Sequence, residues 1–563
     1  MKDALLKRYM PRLEFDSYED FKTNLKINVP DSFNFGYDVV DAWAELEPGK
    51  TALVWCNDAG EEHIFSFNDI KDWSNRICNY LVSLGIRKGD RVMLIMKRRY
   101  EYWMTVTALH KLGAVAIPAS FQLTEKDLIY RINAADVKMI VIAKDENIIS
   151  HVENSAAACP TLKYRAMVDP EGVAREGWLD FRKGFLGESD VFPRPQGEAY
   201  VSANDPMLIY FTSGTTGMPK MVLHLQRYPL GHILTARYWQ RVEDNGLHMT
   251  VSDSGWAKFS WGKIYGQWLS GTAVMGYDMD KFISERLLNV IQKYKVTTFC
   301  APATMYRFMI KEDLSRFDLS CVHRFCMAGE PLNPVVFEQW EKLTGKKLYE
   351  GFGQTETPVL MANYEWIEPK PGSTGKPSAL YDIHLVDENG KDCEIGEEGE
   401  IVIRGAKNAP PAGLTAGYLY DDEANAKLWR GGDFHTGDNA WMDEDGYIWF
   451  IGRVDDVIKC SGYRIGPFEV ESALMTHPAV LECAITAAPD PVRGQVVKAT
   501  VVLVKGRGYE PSDALRKELQ DHVKKVTAPY KYPRILEFVD ELPKTVSGKI
   551  RRAEIRSRDS GEK

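Results

Sequence analysis

The stretch Tyr210-Phe-Thr212-Ser213-Gly214-Thr215-Thr216-Gly217-Met-Pro-Lys220 is the densest run of reactive side chains in this chain. Glycines let backbone N–H groups close in on an anion, hydroxyls add donors, and a lysine supplies a compact positive charge. That set suits phosphate oxygens. It is not a P-loop, which places four residues between its first glycine and a Gly-Lys-Ser/Thr. Apolar runs at 207–211 and 221–225 flank the segment, so it is expected to join two strands. A second glycine-bearing loop, Thr545-Val-Ser-Gly-Lys549-Ile-Arg-Arg552, lies near the end of the chain, where loops move most readily.

Five further blocks follow the first in order. They are Tyr349-Glu350-Gly351-Phe352-Gly353-Gln354-Thr355-Glu356, Thr436-Gly-Asp438, Gly452-Arg453-Val-Asp455-Asp456, Ser461-Gly462-Tyr463-Arg464, and Pro543-Lys-Thr-Val-Ser-Gly-Lys549. Over nearly its whole length the sequence resembles the adenylate-forming superfamily of acyl-CoA synthetases, peptide-synthetase adenylation domains and luciferases. The resemblance implies that residues 212–220 and 350–354 hold ATP. Thr355 would contact its phosphate, and Glu356 would be the ligand of Mg²⁺, an ion that takes one or two carboxylates besides phosphate and water. Asp438 and Arg453 would meet the ribose hydroxyls. Gly329 and Glu330, in Ala328-Gly-Glu-Pro331, would pack against adenine, although a plain strand-to-helix turn explains them equally. Lys549 would be the catalytic lysine, bridging carboxylate and α-phosphate as charge builds. Asp455 falls at the family's hinge, with Asp456 as the adjacent candidate.

Within the superfamily the C-terminal segments look most like medium-chain acyl-CoA synthetases. On that likeness Ser461, Gly462, Tyr463, Arg464, Arg493, Lys524, Lys531 and Tyr532 are candidates for coenzyme A, by phosphate pairing or adenine stacking. Lys524 is explained as well by a helix C-terminus. The acyl pocket would draw on Gln122 and on Trp256, Lys258 and Trp261. The tryptophans serve either as bulky walls or as core, and Lys258 either faces solvent or lines the pocket. The implied activity is an AMP-forming carboxylate–CoA ligase for a medium-chain or short branched acid. An aryl acid, or an acceptor other than CoA, stays open.

These groups need a scaffold. Short apolar runs alternate with helical stretches over 91–143 and again over 296–343, which predicts two parallel-sheet α/β lobes. Glycine-punctuated short strands over 380–452 predict a small β-rich subdomain, and 454–563 a small mobile α+β domain. The expected division is 1–453 and 454–563, with the hinge near Asp455.

A chain of 563 residues exceeds what one core supports. Its 44% hydrophobic and 26% charged residues are those of an ordinary globular protein, and a net charge of −9 disfavours a nucleic-acid partner. No window is apolar for long enough to span a membrane, and the N-terminus has no apolar core of a secretory leader. The nine cysteines contain no CxxC pair and are expected to be reduced. A cytoplasmic protein whose partners are a small carboxylic acid, ATP and CoA is expected, with homodimerisation open.

Overall fold

The computed structural model describes residues 3–212, 218–460, 463–490, 493–544 and 550–560. An eight-stranded sheet runs Gly417–Tyr418, Met221–Leu225, Pro206–Phe211, Val115–Pro118, Arg91–Ile95, Val137–Ala143, Tyr164–Val168 and Leu179–Asp180. It is parallel from Pro206–Phe211 onward and antiparallel at the Met221–Leu225 end. A nine-stranded sheet runs Lys376–Pro377, Val359–Ala362, Leu348–Gly353, Arg324–Met327, Thr298–Ala301, Leu247–Thr250, Ala273–Asp278, Thr51–Asn57 and Glu62–Ser66. The two parallel lobes are therefore present, each finished by antiparallel edge strands.

Helix Glu101–Leu112 lies between the sheets and is buried on every side. That is why its sequence lacks a polar face. It contacts strand Val115–Pro118 of one sheet, and its Trp103 ring fills the space above Gly276 of the other, where a Cβ would come within 3.0 Å. Gly113, at φ +74°, closes the helix in the left-handed conformation that favours glycine. Other helices start where local chemistry dictates. Ser66 and Asp69 form a capping box for Phe67–Ser83, and Thr124 and Asp127 do so for Glu125–Ala134.

The β-rich subdomain is a four-stranded antiparallel sheet of Ile383–Val386, Glu398–Ile403, Phe434–Met442 and Ile448–Arg453. The C-terminal domain has its own sheet, with Tyr463–Ile465, Ile458–Cys460, Gly494–Leu503 and Val480–Asp490 in order and Ile535–Phe538 parallel to Gly494–Leu503. Helix Pro467–Met475 packs on strand Ile448–Arg453, and Asn333 Nδ2 donates to Ser472 O at 3.3 Å.

Some elements were not legible. The edge pair Thr51–Asn57 and Glu62–Ser66 joins the nine-stranded sheet by pairing with Ala273–Asp278, a partner more than two hundred residues away. The basic tail after residue 550 becomes helix Arg552–Ser560 because Arg552 lands on the buried carboxylate of Glu471 at 2.7 Å.

Four histidines, His110, His224, His232 and His248, are fully buried. Burial pushes His110 and His248 down to about 3 and His224 to about 4, and it holds His232 well below the usual range. The unfolded chain takes up these protons near pH 6.5 and the fold refuses them. Their contribution is thus present above pH 6.5 and is lost as pH falls toward 4, by about 1.4 kcal/mol per histidine per pH unit. The thermal unfolding midpoint is expected to drop steadily between pH 6.5 and 4.5, with a shallower slope in His248→Gln. An unchanged slope in that variant contradicts the assignment.

Candidate active site

The loop of small and hydroxylated residues leaves strand Pro206–Phe211 and returns as Met221–Leu225, antiparallel, with Phe211 opposite Met221. Thr212 N donates to Lys220 O at 3.0 Å and closes the loop's base. It does join two strands. Ser213, Gly214, Thr215, Thr216 and Gly217 lie outside the described residues, as do Ser461, Gly462, Lys549 and the side chains of Tyr463 and Arg464.

The return strand is the hub of the site. Gly417 and Tyr418 pair with Leu223 and Val222. From the same segment Thr415 Oγ1 donates to Leu223 O at 2.7 Å, and Thr415 N donates to Glu356 O at 2.9 Å. His224, on that strand, bonds through Nε2 to Thr355 O at 2.8 Å. Being held neutral by burial, it can only donate there with Nε2 protonated. The Thr355-Glu356 turn is therefore fixed from two sides. The Glu356 carboxylate is buried and accepts from Tyr418 Oη at 2.9 Å. Burial and the neighbouring Glu356 charge push the Tyr418 phenol far up, so it stays protonated and donates. Lys220 Nζ stands 4.8 Å above the Tyr418 ring centroid.

A second cluster forms at the four-stranded sheet. Asp438 and Arg453 are register partners on adjacent strands. Gln354 Nε2 donates to Asp438 Oδ2 at 2.5 Å and to Thr436 O at 2.8 Å. Arg453 Nη1 lies 3.4 Å from Asp438 Oδ1, and its Nε 3.8 Å from Asp455 Oδ1. The structure thus brings together Gln354, Asp438, Arg453 and Asp455. The charge of Glu356 also acts on Arg453, linking this cluster to the first.

Gly329, at φ +97°, and Glu330 lie on the turn after strand Arg324–Met327. Glu330 is held by Thr304 N and Oγ1 at 3.0 and 2.7 Å. Glu350 is buried in strand Leu348–Gly353 and accepts from the Leu332 backbone, and burial raises its carboxyl well above the usual range. Gly351 and Gly353 continue that strand across two indoles. A Cβ on Gly351 would fall 2.4 Å from Trp239, and one on Gly353 2.5 Å from Trp261. Phe352, between them, packs on Phe450 at 5.2 Å.

The acyl-pocket candidates gather here. Trp261 is nearly buried, with its ring edge-on to Trp239 at 6.2 Å. Lys258 Nζ donates to Ala328 O at 2.6 Å, so its head is held against the backbone beside Gly329. Trp256 is half-buried on the segment whose Gly255 packs against the Ala119–Ser120 backbone, next to exposed Gln122.

The candidates for coenzyme A are grouped more loosely. Lys524 Nζ stands 4.3 Å over the Tyr532 ring, Arg534 donates to Tyr532 Oη at 2.7 Å, and Lys531 pairs with Glu469 at 2.5 Å. Arg493 sits apart, on the turn between strands Val480–Asp490 and Gly494–Leu503.

Among the described residues no group of three or more His, Cys, Asp or Glu could cage a metal. One buried carboxylate beside a lysine is the donor set expected for Mg²⁺ that arrives with phosphate and water as its other ligands. Glu356 therefore fits that ion. Sequence reasoning missed Tyr418, Thr415 and His224. They carry no motif signal of their own beyond the pair Gly417-Tyr418 and a polar residue in an apolar strand.

Residues 40–419 match the AMP-binding enzyme family, and residues 469–549 match the AMP-binding enzyme C-terminal domain. Acyl-coenzyme A synthetase ACSM3, mitochondrial, of Mus musculus is 40% identical over 97% of this chain and 94% of its own. Acyl-coenzyme A synthetase ACSM4, mitochondrial, of Homo sapiens is 42% identical over 96% of this chain and 93% of its own. Among solved structures, the anthranilate CoA ligase AuaEII in complex with anthranoyl-AMP superposes with a TM-score of 0.85 at 28% identity, covering 94% of this chain and 98% of that one. The mitochondrial names of the curated relatives overturn the expectation of a cytoplasmic protein. Reduced cysteines and ordinary composition suit any reducing compartment, so the sequence carried no real information on this point. No helix among the described residues is long and apolar enough to cross a membrane. The chain belongs to the AMP-binding enzyme family, and within it to the acyl-CoA synthetases.

Proposed function

We propose that the two clusters around strand Met221–Leu225 and the Asp438–Arg453 pair form the ATP site of an AMP-forming carboxylate–CoA ligase acting on a medium-chain or short branched acid. The observation that carries this reading is the convergence of Lys220, Tyr418 and Glu356 beside the loop of residues 212–220. In the first step a carboxylate oxygen attacks the α-phosphorus, the bond to the bridging oxygen breaks, and pyrophosphate leaves with the electron pair. Residues 213–217 and Lys220 hold the departing phosphates, and Asp438 and Arg453 the ribose. Glu356 would hold Mg²⁺, which when bound would supply charge neutralisation. Lys549 bridges carboxylate and α-phosphate where negative charge grows. In the second step the CoA sulfur attacks the acyl carbon and AMP leaves. The thiol's proton goes to solvent.

The two steps need two poses of the C-terminal domain, taken here as 454–563. Asp455 is tied back to Arg453, whereas Asp456 is buried against Arg556 of the last helix. Adjacent residues thus belong to different domains, which supports a hinge at Asp455 rather than at Asp456. Homodimerisation stays open, a point that sedimentation velocity decides.

Lys549→Ala is expected to slow acid-dependent pyrophosphate release by at least a hundredfold. It should leave thioester formation from supplied acyl-adenylate within a fewfold of the parent. Equal loss of both half-reactions removes the assigned role. Omitting CoA should abolish sustained AMP formation. Undiminished turnover without CoA instead favours another acceptor.

Trp261 stands where Gly353 leaves room, so its ring closes the acyl pocket at short range. Trp261→Leu is expected to raise kcat/KM for octanoate relative to isobutyrate by about tenfold or more, since each added methylene contributes about 1–3 kcal/mol in an apolar pocket. An unchanged chain-length profile removes Trp261 from the pocket. The likeness to an anthranilate ligase supports a second reading, an aryl acid, and benzoate and anthranilate in the same panel decide between them.

A further inference from the structure

We infer that Tyr418 is a positioning residue for adenylation, which holds Glu356 in its metal-binding orientation and keeps it from pairing with Lys220. Three observations support this. First, the Tyr418 hydroxyl donates to Glu356 Oε1 at 2.9 Å, fixing one carboxylate oxygen. Second, the face of the same ring carries the Lys220 ammonium at 4.8 Å, a distance at which the ring quadrupole attracts a cation. Among the described residues Lys220 and Glu356 do not ion-pair with each other, and the ring lies against both. A direct pair would spend the lysine that phosphate needs and the carboxylate that the metal needs. Third, the backbone that carries the ring is held on both sides. Asn425 Oδ1 accepts from Tyr418 N at 2.8 Å and Asn425 Nδ2 donates to Tyr418 O at 2.7 Å, while Gly417, at φ +119°, allows the close approach because a Cβ there would lie 2.5 Å from Asn425 Oδ1. The ladder to Val222 and Leu223 ties the whole segment to the phosphate loop's return strand.

Partners of this kind, one shell outside a metal ligand, typically alter metal affinity by about 10–100-fold when removed. The inference rests on Glu356 being the magnesium ligand, so Glu356→Gln is measured alongside. Tyr418→Phe removes the hydroxyl and keeps the ring under Lys220. Tyr418→Leu removes both. In Tyr418→Phe the Mg²⁺ concentration for half-maximal pyrophosphate release should rise about tenfold. Mn²⁺ binding in the presence of ATP and absence of acid, read by electron paramagnetic resonance, should weaken by a similar factor. Thioester formation from supplied acyl-adenylate, which handles neither metal nor pyrophosphate, should stay within about twofold. Tyr418→Leu should add a rise in KM for ATP, from the loss of the seat for Lys220. Unchanged Mn²⁺ binding in Tyr418→Phe, with a clear loss in Glu356→Gln, overturns the role of Tyr418. Unchanged Mn²⁺ binding in both overturns the reading of Glu356 on which it rests. Equal loss of both half-reactions in Tyr418→Phe reduces Tyr418 to a structural residue.

Discussion

The site depends on keeping a lysine and a carboxylate close together without letting them neutralise each other. A polyphosphate brings several negative charges and a metal ion, so the protein must offer a cation and an anion within one small volume. Left alone, Lys220 and Glu356 would gain a charge-assisted hydrogen bond. The Tyr418 ring removes that option by giving each a separate contact, its face to the ammonium and its hydroxyl to the carboxylate. Much of the surrounding topology serves this arrangement. Without strand Gly417–Tyr418 added antiparallel to Met221–Leu225, the ring would have no fixed relation to the phosphate loop.

The second constraint is motion. The cluster of Gln354, Asp438 and Arg453 is built on the four-stranded sheet, whose last strand ends at Arg453, and the C-terminal sheet starts at Ile458. Between them the anchors change sides within one peptide unit, Asp455 to Arg453 and Asp456 to Arg556. The last helix is locked to its own domain twice over, by Arg556 and by the Arg552–Glu471 pair. Both of these carboxylates are buried, so separating either pair would strand a charge in a dry place. Helix Arg552–Ser560 is therefore fixed by two ion pairs to the buried carboxylates of Asp456 and Glu471.

How much of this was readable in advance follows from which signals are local. The phosphate loop announced itself because its flanking apolar runs and its glycines are contiguous, and the expected strand-to-strand connection is what the fold has. Helix Pro467–Met475 and strand Ile535–Phe538 fall at the bounds their patterns give, since a proline opens the one and a short apolar run marks the other. The pair Thr51–Asn57 and Glu62–Ser66 was invisible because its place depends on a distant partner. Tyr418 was missed for the same reason. Its sequence neighbours say only that a glycine precedes a tyrosine, whereas its meaning lies in Lys220 and Glu356, on two other segments.

The acyl wall shows why a motif can be legible while its purpose is not. Tyr349-Glu350-Gly351-Phe352-Gly353 reads as a nucleotide block, and its glycines are naturally credited to close backbone approach to a ligand. The structure gives them a different neighbour. Trp239 and Trp261 occupy the space that side chains at 351 and 353 would need, at 2.4 and 2.5 Å. On the assignment proposed above, one strand edge would serve two substrates, nucleotide on one side and acid on the other. Lys258, which looked out of place in an apolar pocket, is accounted for by the same economy. Its ammonium is spent on Ala328 O, at the start of the turn proposed to face adenine. Its methylene stem is apolar surface, which suits the apolar surroundings. One side chain thus joins the segment that carries Trp256 and Trp261 to the turn at Gly329. On the proposed assignment, a change at 258 made to alter acid preference would also release Ala328 O, so pocket volume would not be the only variable that such a change moves.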